Sequence, residues 1–422
     1  MPEEPIRPQI TLSPAEARRF MLLHHHLLPP RQLHGKADLT ALFQRLGCIQ
    51  FDPVNVIAPS PDVMLQARVA DYTPALLNEL LYNDRELING FDKVMSIYLS
   101  ADWPYFARRR EAWRKDHWYT YEEPTQIHPL LLEEIRSRGP LSSLDLEMSD
   151  KITSFWGIPI RVERAALENL LAMGSLGIHH RSGTRRYFDL IEHLLPAELL
   201  AAGDPNPTEE DYQDWHVLRR IGGLGLAFDG GTEHWLGILN LKAPQRRAAL
   251  RRLTDQGRVI PATVAGLEGK LFFLRAEDLP TLEQARAGQP TPAGAALLSP
   301  LDNILWHRDS LRWLFNFDYI WEVYKPADQV VYGHYVLPVL YGEKFVARCE
   351  PVLNRRARTL ELRNWWWEGG VQPEDAMLAA LADCLQAFCT SFNARQVVLS
   401  ERAASDVHLS RLANTAPDLF QP

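Results

Sequence analysis

Residues Leu46 to Arg68 read LGCIQFDPVNVIAPSPDVMLQAR, and the fold turns on this stretch. Gly47 is a natural stop for the helix predicted over ADLTALFQRLG, because glycine tolerates the backbone that ends helices. Pro53 disfavours the helical region for Asp52, so Gln50-Phe51-Asp52 is expected to be extended. In an extended chain alternate side chains share a face, which aims Gln50 and Asp52 together and turns Phe51 towards a core. Ser60 as N-cap and Pro61 in the first turn then open a helix over SPDVMLQARV. Helix, polar segment, helix is the skeleton of a helix-turn-helix unit, with the tripeptide at its turn. One carboxylate beside one amide can orient a single water, the minimum for hydrolysing a bond whose leaving group departs readily. A plain strand end before a proline turn would read the same way in three residues.

Upstream, Ser13-Pro14-Ala15-Glu16 forms a capping box ahead of a helix expected to run through AEARRFMLLHHHLL to Pro29. His24, His25 and His26 look like metal ligands, but consecutive helical residues splay by about 100° and cannot converge on one ion. Downstream, a helix over TPALLNELLYNDR and a hairpin over ELINGFDKVMSIYL complete a first winged-helix unit, residues 1–125, ending in a basic helix from Trp103 to Asp116. A second unit, residues 126–203, holds HPLLLEEIRSRG, a short helix after Gly139-Pro140, the helix RVERAALENLLAMG and the hairpin IHHRSGTRRYFDL with Arg181, Arg185 and Arg186 at its tip. A third, residues 204–292, repeats helix, glycine stop and hairpin; its glycines from Gly222 to Gly231 suit turns and close packing, since no Gly-Lys-Ser/Thr follows.

From residue 293 to 422 the pattern turns to strands. YIWEVYKPA, VYGHYVLPVLYGE, KFVARCEPV and TLELRNWWWEG alternate and break at Pro or Gly, giving an antiparallel sheet or barrel covered by the helix PEDAMLAALADCLQAFCTSFN, with QVVLSE as a further strand. Trp365, Trp366 and Trp367 cannot all face one ligand, so core or rim duty is expected for the set. The fold class is therefore α+β, tandem winged helices followed by a β-rich domain.

The chain is long enough for several domains, and its composition is that of a globular protein. No apolar run approaches the roughly 20 residues a membrane helix needs. The opening MPEEPIRP lacks the apolar region of a signal peptide, and the four cysteines show no metal spacing, so a cytoplasmic protein with reduced thiols is expected. A net charge of −8 argues against a polyanion partner overall, yet what binds a phosphate backbone is a local basic face. Such clusters lie at Arg108–Lys115, at Arg181, Arg185 and Arg186, at Arg246 and Arg247, and at Arg355 and Arg356; Arg68 joins them as a candidate DNA contact.

At this point the sequence resembles the tandem winged-helix DNA glycosylases of the AlkZ and YcaQ (AlkX) type. The likeness rests on Glu16-Ala17-Arg18, on Leu46 to Pro53, and on LSPLDNILWHRDSLRWLFNFDYIWEVYKPA with YGHYVLPVL. In that family the tripeptide is glutamine, a hydrophobic residue, then glutamine or, in the YcaQ branch, aspartate; Asp52 puts this chain nearer YcaQ. The resemblance implies excision of bulky N7-alkylated purines and unhooking of N7-linked interstrand crosslinks in double-stranded DNA, with no cofactor and no metal. It assigns Gln50 and Asp52 to catalysis, with Phe51, Pro53 and Asn55 in support; no heptad run demands a dimer, so a monomer is expected. An N7-alkylpurine is already cationic and departs without a general acid, so Asp52 would stabilise the developing sugar charge and activate water while Gln50 positions it. No lysine is required, which suggests a monofunctional enzyme. Phe91, Lys93 and Val94 stand where the family often has Trp and a His-Glu pair, and His25 and His26 where it commonly has Gln and Gly. The rival readings are a winged-helix DNA-binding protein without catalysis, whose DNA face would have little use for Asp52, and a nuclease, for which no metal-binding carboxylate cluster is evident.

Overall fold

The computed structural model describes residues 5–115, 124–146, 150–153, 157–288 and 293–420. They form a mixed α+β fold in two compact units, one of residues 1–77, 216–236 and 240–422, the other of residues 78–215 and 237–239.

In the larger unit the capping box forms as read: the Ser13 hydroxyl accepts from Glu16 N–H and the Glu16 carboxylate accepts from Ser13 N–H. The helix ends earlier than expected, at His24, with His25 as its cap and His26 at positive φ. His24 and His25 are buried, and their Nε2 atoms pair with the carbonyls of Gly222 at 2.7 Å and Leu224 at 3.2 Å. Helix Gly35–Leu46 closes on Gly47 at φ 76°. Strand Cys48–Gln50 follows, then an irregular loop, then helix Ser60–Leu65.

A four-stranded sheet holds an arrangement the sequence did not announce: strand Ile10–Leu12 lies parallel to Val259–Val264, which pairs antiparallel with Phe272–Arg275. A second sheet runs Ala295–Leu297, Leu337–Tyr341, Lys344–Asn354, Thr359–Trp367, Gln396–Leu399. Its first three pairings are antiparallel and the last is parallel. The end strands are edges, so the sheet is open and not the closed barrel that was one expectation. Helix Asp375–Ser391 covers it with Leu378, Leu381, Leu385 and Phe388, each contributing about 1.5–3 kcal/mol by burial. Along Thr359–Trp367 the tryptophans alternate as strand geometry requires: Trp365 and Trp367 meet at 5.2 Å, while Trp366 turns to Tyr332. YIWEVYKPA, expected as a strand, is irregular, and its Glu322 carboxylate ties it to the N–H groups of Val331, Tyr332 and Gly333 at the start of VYGHYVLPVLYGE, whose strand begins only at Leu337.

The smaller unit contains hairpin Leu87–Phe91/Met95–Leu99, helices Ala107–Lys115, His128–Arg138 and Val162–Met173, and hairpin Leu176–Ser182/Arg185–Leu190. Leu131, Ile135, Leu167, Leu170 and Phe188 form its core. Residues 141–146 make turns where a short helix was expected. Asp116 and Trp118 lie outside the described residues. Phe91, Lys93 and Val94 lie at or beside the tip of the first hairpin; the Phe91 ring meets Trp113 at 4.8 Å, Lys93 is buried and Val94 is exposed.

All four cysteines are free and buried. Burial raises the thiols of Cys349 and Cys384, and that of Cys389 to about 12. Among the described residues no helix is long and apolar enough to cross a membrane.

Gly222 sits where its helix meets helix Gly35–Leu46. A Cβ there would lie 2.8 Å from the Arg45 carbonyl oxygen and 2.6 Å from Arg275 Nη1. Alanine's helix propensity is worth about 1 kcal/mol, but overpacking costs about 1–3 kcal/mol, and a backbone carbonyl yields less than a side chain. Gly222→Ala is expected to lower the urea midpoint; an unchanged or higher midpoint would show that the contact relaxes without strain.

Candidate active site

The tripeptide Gln50-Phe51-Asp52 is held by a residue expected to do something else. Ser60 does not cap its helix, whose N-cap is Pro59. Its hydroxyl instead donates to the Gln50 carbonyl at 3.0 Å and accepts from Asp52 N–H at 2.8 Å, while Ser60 N–H donates to the Asp52 carbonyl at 3.2 Å. One side chain thus staples both ends of the extended segment. Phe51 between them is buried, as alternation requires.

Asp52 is half-buried, and its Oδ1 accepts from Val54 N–H at 2.8 Å. Burial raises the carboxyl above its ordinary pKa, with the Val54 N–H opposing. Among the described residues its other oxygen takes no hydrogen bond and no cation pairs with it. The Gln50 Oε1 is enclosed and also lacks a partner. A carboxylate oxygen left open and an unpartnered amide oxygen are both acceptors, and a water with two O–H donors is the group that could satisfy both.

The loop beyond is fastened to the open sheet. Ile57 and Ala58 enter the core beneath it, Leu353 N–H donates to the Val56 carbonyl, and the Arg355 guanidinium donates to the Asn55 side chain and, at 2.8 Å, to the Ile57 carbonyl. Asn55, expected to support the motif, accepts from Arg355 through its side-chain oxygen. Asn303 Nδ2 donates to the Cys48 carbonyl at 3.0 Å, ahead of the tripeptide. Behind it, Arg68 is fully buried in a two-bond ion pair with Asp302 at 2.7 and 2.8 Å. Arg68 therefore cannot reach a phosphate, and its expected place at the DNA is corrected.

Several of the other candidate basic residues also meet acids distant in sequence. Arg185 pairs with Asp145 and, at 2.5 Å, the Ser142 hydroxyl; Arg186 pairs with Glu168; Arg181 is partly enclosed. In the basic helix Arg108 meets Asp204 at 2.6 Å and Arg110 lies 3.8 Å over the Trp103 ring. Arg246 is buried beside Asp229, and Arg247, mostly exposed, reaches the same carboxylate at 3.5 Å. Arg356 is exposed. Among the described residues no group of three or more His, Cys, Asp or Glu is placed to hold a metal ion.

Residues 43–390 match the family model described as DNA glycosylase AlkZ-like. The chain belongs to that family. The AlkZ-like match takes in the stapled tripeptide, its loop and most of the open sheet. Among solved structures, the DNA glycosylase AlkZ of Streptomyces sahachiroi superimposes with a TM-score of 0.60 at 15% identity, over 93% of this chain and 100% of that one. At that identity the likeness concerns the fold.

One residue near the loop escaped sequence reading altogether. Asp62 is buried, accepts from the Tyr72 hydroxyl at 2.7 Å, and is raised by burial from 3.8 to about 6. Its neutral form is favoured by folding, so stability is highest below the unfolded value and falls by about 2–3 kcal/mol as pH rises from about 4 through about 6. Asp62→Asn is expected to remove that fall in urea titrations at pH 4 and pH 7; an unaltered fall would assign it to other groups. Ser60→Ala leaves the Asp52 amide and Gln50 carbonyl short of a partner, an expected loss of about 1–3 kcal/mol, read in the same titrations.

Proposed function

We propose that this AlkZ-like protein is a monofunctional DNA glycosylase that hydrolyses the N-glycosidic bond of bulky, cationic N7-alkylated purines and unhooks crosslinks joined through N7. The observation that carries the reading is the stapled pair: Asp52, with one oxygen fixed and one open, on the same rigid segment as the unpartnered Gln50 Oε1.

In this mechanism the C1′–N9 bond breaks, and its electron pair flows into the purine ring and neutralises the alkylated cation. Positive charge develops on the deoxyribose. The Asp52 carboxylate stabilises it and accepts the proton of the attacking water, and its raised pKa strengthens it as a base. Gln50 orients that water or the sugar. The leaving group needs no general acid and the sugar no amine nucleophile, so no Schiff base forms. Aspartate in place of glutamine at the third position of the tripeptide favours the YcaQ branch.

Double-stranded DNA is the partner in this reading, bound by a monomer in the cytoplasm. Helices His128–Arg138 and Val162–Met173 before their hairpin, and helix Ala243–Asp255 before strands Val259–Val264 and Phe272–Arg275, support winged-helix motifs within residues 126–203 and 204–292, between a catalytic unit at 1–125 and a β-rich domain at 293–422. Exposed Arg247 and Arg356 are the readiest phosphate contacts; Arg185 and Arg186 would have to exchange Asp145 and Glu168 for phosphate.

Incubation in EDTA with a duplex bearing one N7-methylguanine tests the reaction. Wild type should release the free base, and Asp52→Asn should lose at least a hundredfold in single-turnover rate while still binding the duplex. Equal release by both removes Asp52 from its role, and a borohydride-trapped adduct overturns the monofunctional assignment. Arg356→Ala is expected to weaken duplex binding and flatten its salt dependence by about one unit of log–log slope; an unchanged slope would place the turn away from DNA.

A further inference from the structure

Ten large hydrophobic side chains are exposed among the described residues, and four of them, Ile320, Tyr324, Val331 and Tyr332, lie on the irregular segment between helix Arg308–Phe315 and strand Leu337–Tyr341. Tyr324 is the most open, at 81%. Loose anchoring does not explain this exposure. The Glu322 carboxylate is buried and accepts from Lys325 Nζ at 2.8 Å and from the N–H groups of Val331 at 3.1 Å, Tyr332 at 2.8 Å and Gly333 at 3.4 Å. Four exposed apolar side chains on one anchored segment make it a candidate binding surface.

Its position narrows the partner. Trp321 packs on the same core cluster as Val54, Val56, Ile57 and Ala58 of the candidate catalytic loop, and the Tyr324 ring meets Trp321 at 6.0 Å. Tyr335 belongs to that cluster. Burial and, after it, the nearby Asp52 carboxylate raise the phenols of Tyr324 and Tyr335. An exposed ring, joined through Trp321 to the core that carries the candidate loop, thus lies within electrostatic reach of a carboxylate with no counter-cation among the described residues. That pairing suits a flat, cationic aromatic group: the ring face attracts it through its quadrupole and the carboxylate through its charge. A neutral base would gain only the stacking.

We propose that Tyr324 is the stacking platform for the damaged base, holding a cationic alkylated purine against its ring with the sugar towards Asp52, and so determines specificity for charged over neutral purines. This rests on the glycosylase reading above, and the Glu322 clamp is what keeps the platform in place.

The test is single-turnover release of N7-methylguanine from a duplex by wild type, Tyr324→Ala, Tyr324→Leu, Tyr324→Phe and Asp52→Asn, with affinity for an undamaged duplex measured in parallel. Tyr324→Ala and Tyr324→Leu should lose roughly ten- to hundredfold in release, the size expected for a stacking contact, with little change in affinity for undamaged DNA. Tyr324→Phe should recover most of the loss, which distinguishes a ring from mere apolar bulk. Should Tyr324→Ala release base at the wild-type rate while Asp52→Asn does not, the platform is wrong and the glycosylase reading stands. Equal losses in release and in undamaged-duplex affinity would make Tyr324 a general DNA contact and overturn the specificity claim. If wild type releases no base, both fail together. A Tyr324→Ala protein with full activity and altered sedimentation would assign the surface to a second copy of the chain.

Discussion

The buried guanidinium of Arg68 and the carboxylate of Asp302 meet in two parallel hydrogen bonds, both side chains fully enclosed, and the placement of the candidate site follows from that pair. Asp302 holds the chain just after the catalytic loop, and its neighbour Asn303 holds the strand just before it through the Cys48 carbonyl. Two consecutive residues from the far half of the sequence therefore fix both ends of residues 48–68. Removing one partner of such a pair costs about 3–5 kcal/mol because the other charge is left enclosed. Between the two anchors the Ser60 hydroxyl and the Arg355 guanidinium set the detail: one straightens the tripeptide, the other draws the following loop onto the sheet.

What was legible in the sequence is what local chemistry decides. The Ser13–Glu16 box, the Gly47 stop and the inward turn of Phe51 depend on residues within a few positions, and each appears as read. The candidate pair Gln50 and Asp52 was visible for the same reason. Ser60 was misread because a tertiary partner competes for its hydroxyl: the usual preference for an N-cap lost to two backbone groups eight and ten residues upstream. The arginine clusters looked like an open basic face because their acids are remote in sequence. Asp145 lies 40 residues from Arg185, and Asp302 lies 234 from Arg68. VYGHYVLPVLYGE has the alternation of a strand, but Glu322 gathers the amides of its first three residues and the strand begins only at Leu337. The parallel pairing of Ile10–Leu12 with Val259–Val264 spans most of the chain and leaves no local signal.

The same contrast separates two kinds of residue around the candidate site. Asp52 was singled out by an extended tripeptide before a proline together with the family resemblance, since the three residues alone read equally well as a strand end. Glu322 and Arg355 could not be singled out, because their importance lies in which backbone groups they reach, and those are supplied by the fold.

The thiols carry a separate consequence. Only the thiolate of cysteine attacks carbon electrophiles at an appreciable rate, and all four sulfurs are enclosed, three of them with pKa values pushed up by burial. The soft nucleophiles that alkylating agents modify first are thereby withheld from solvent. The four thiols are therefore held as neutral packing groups and not as exposed nucleophiles.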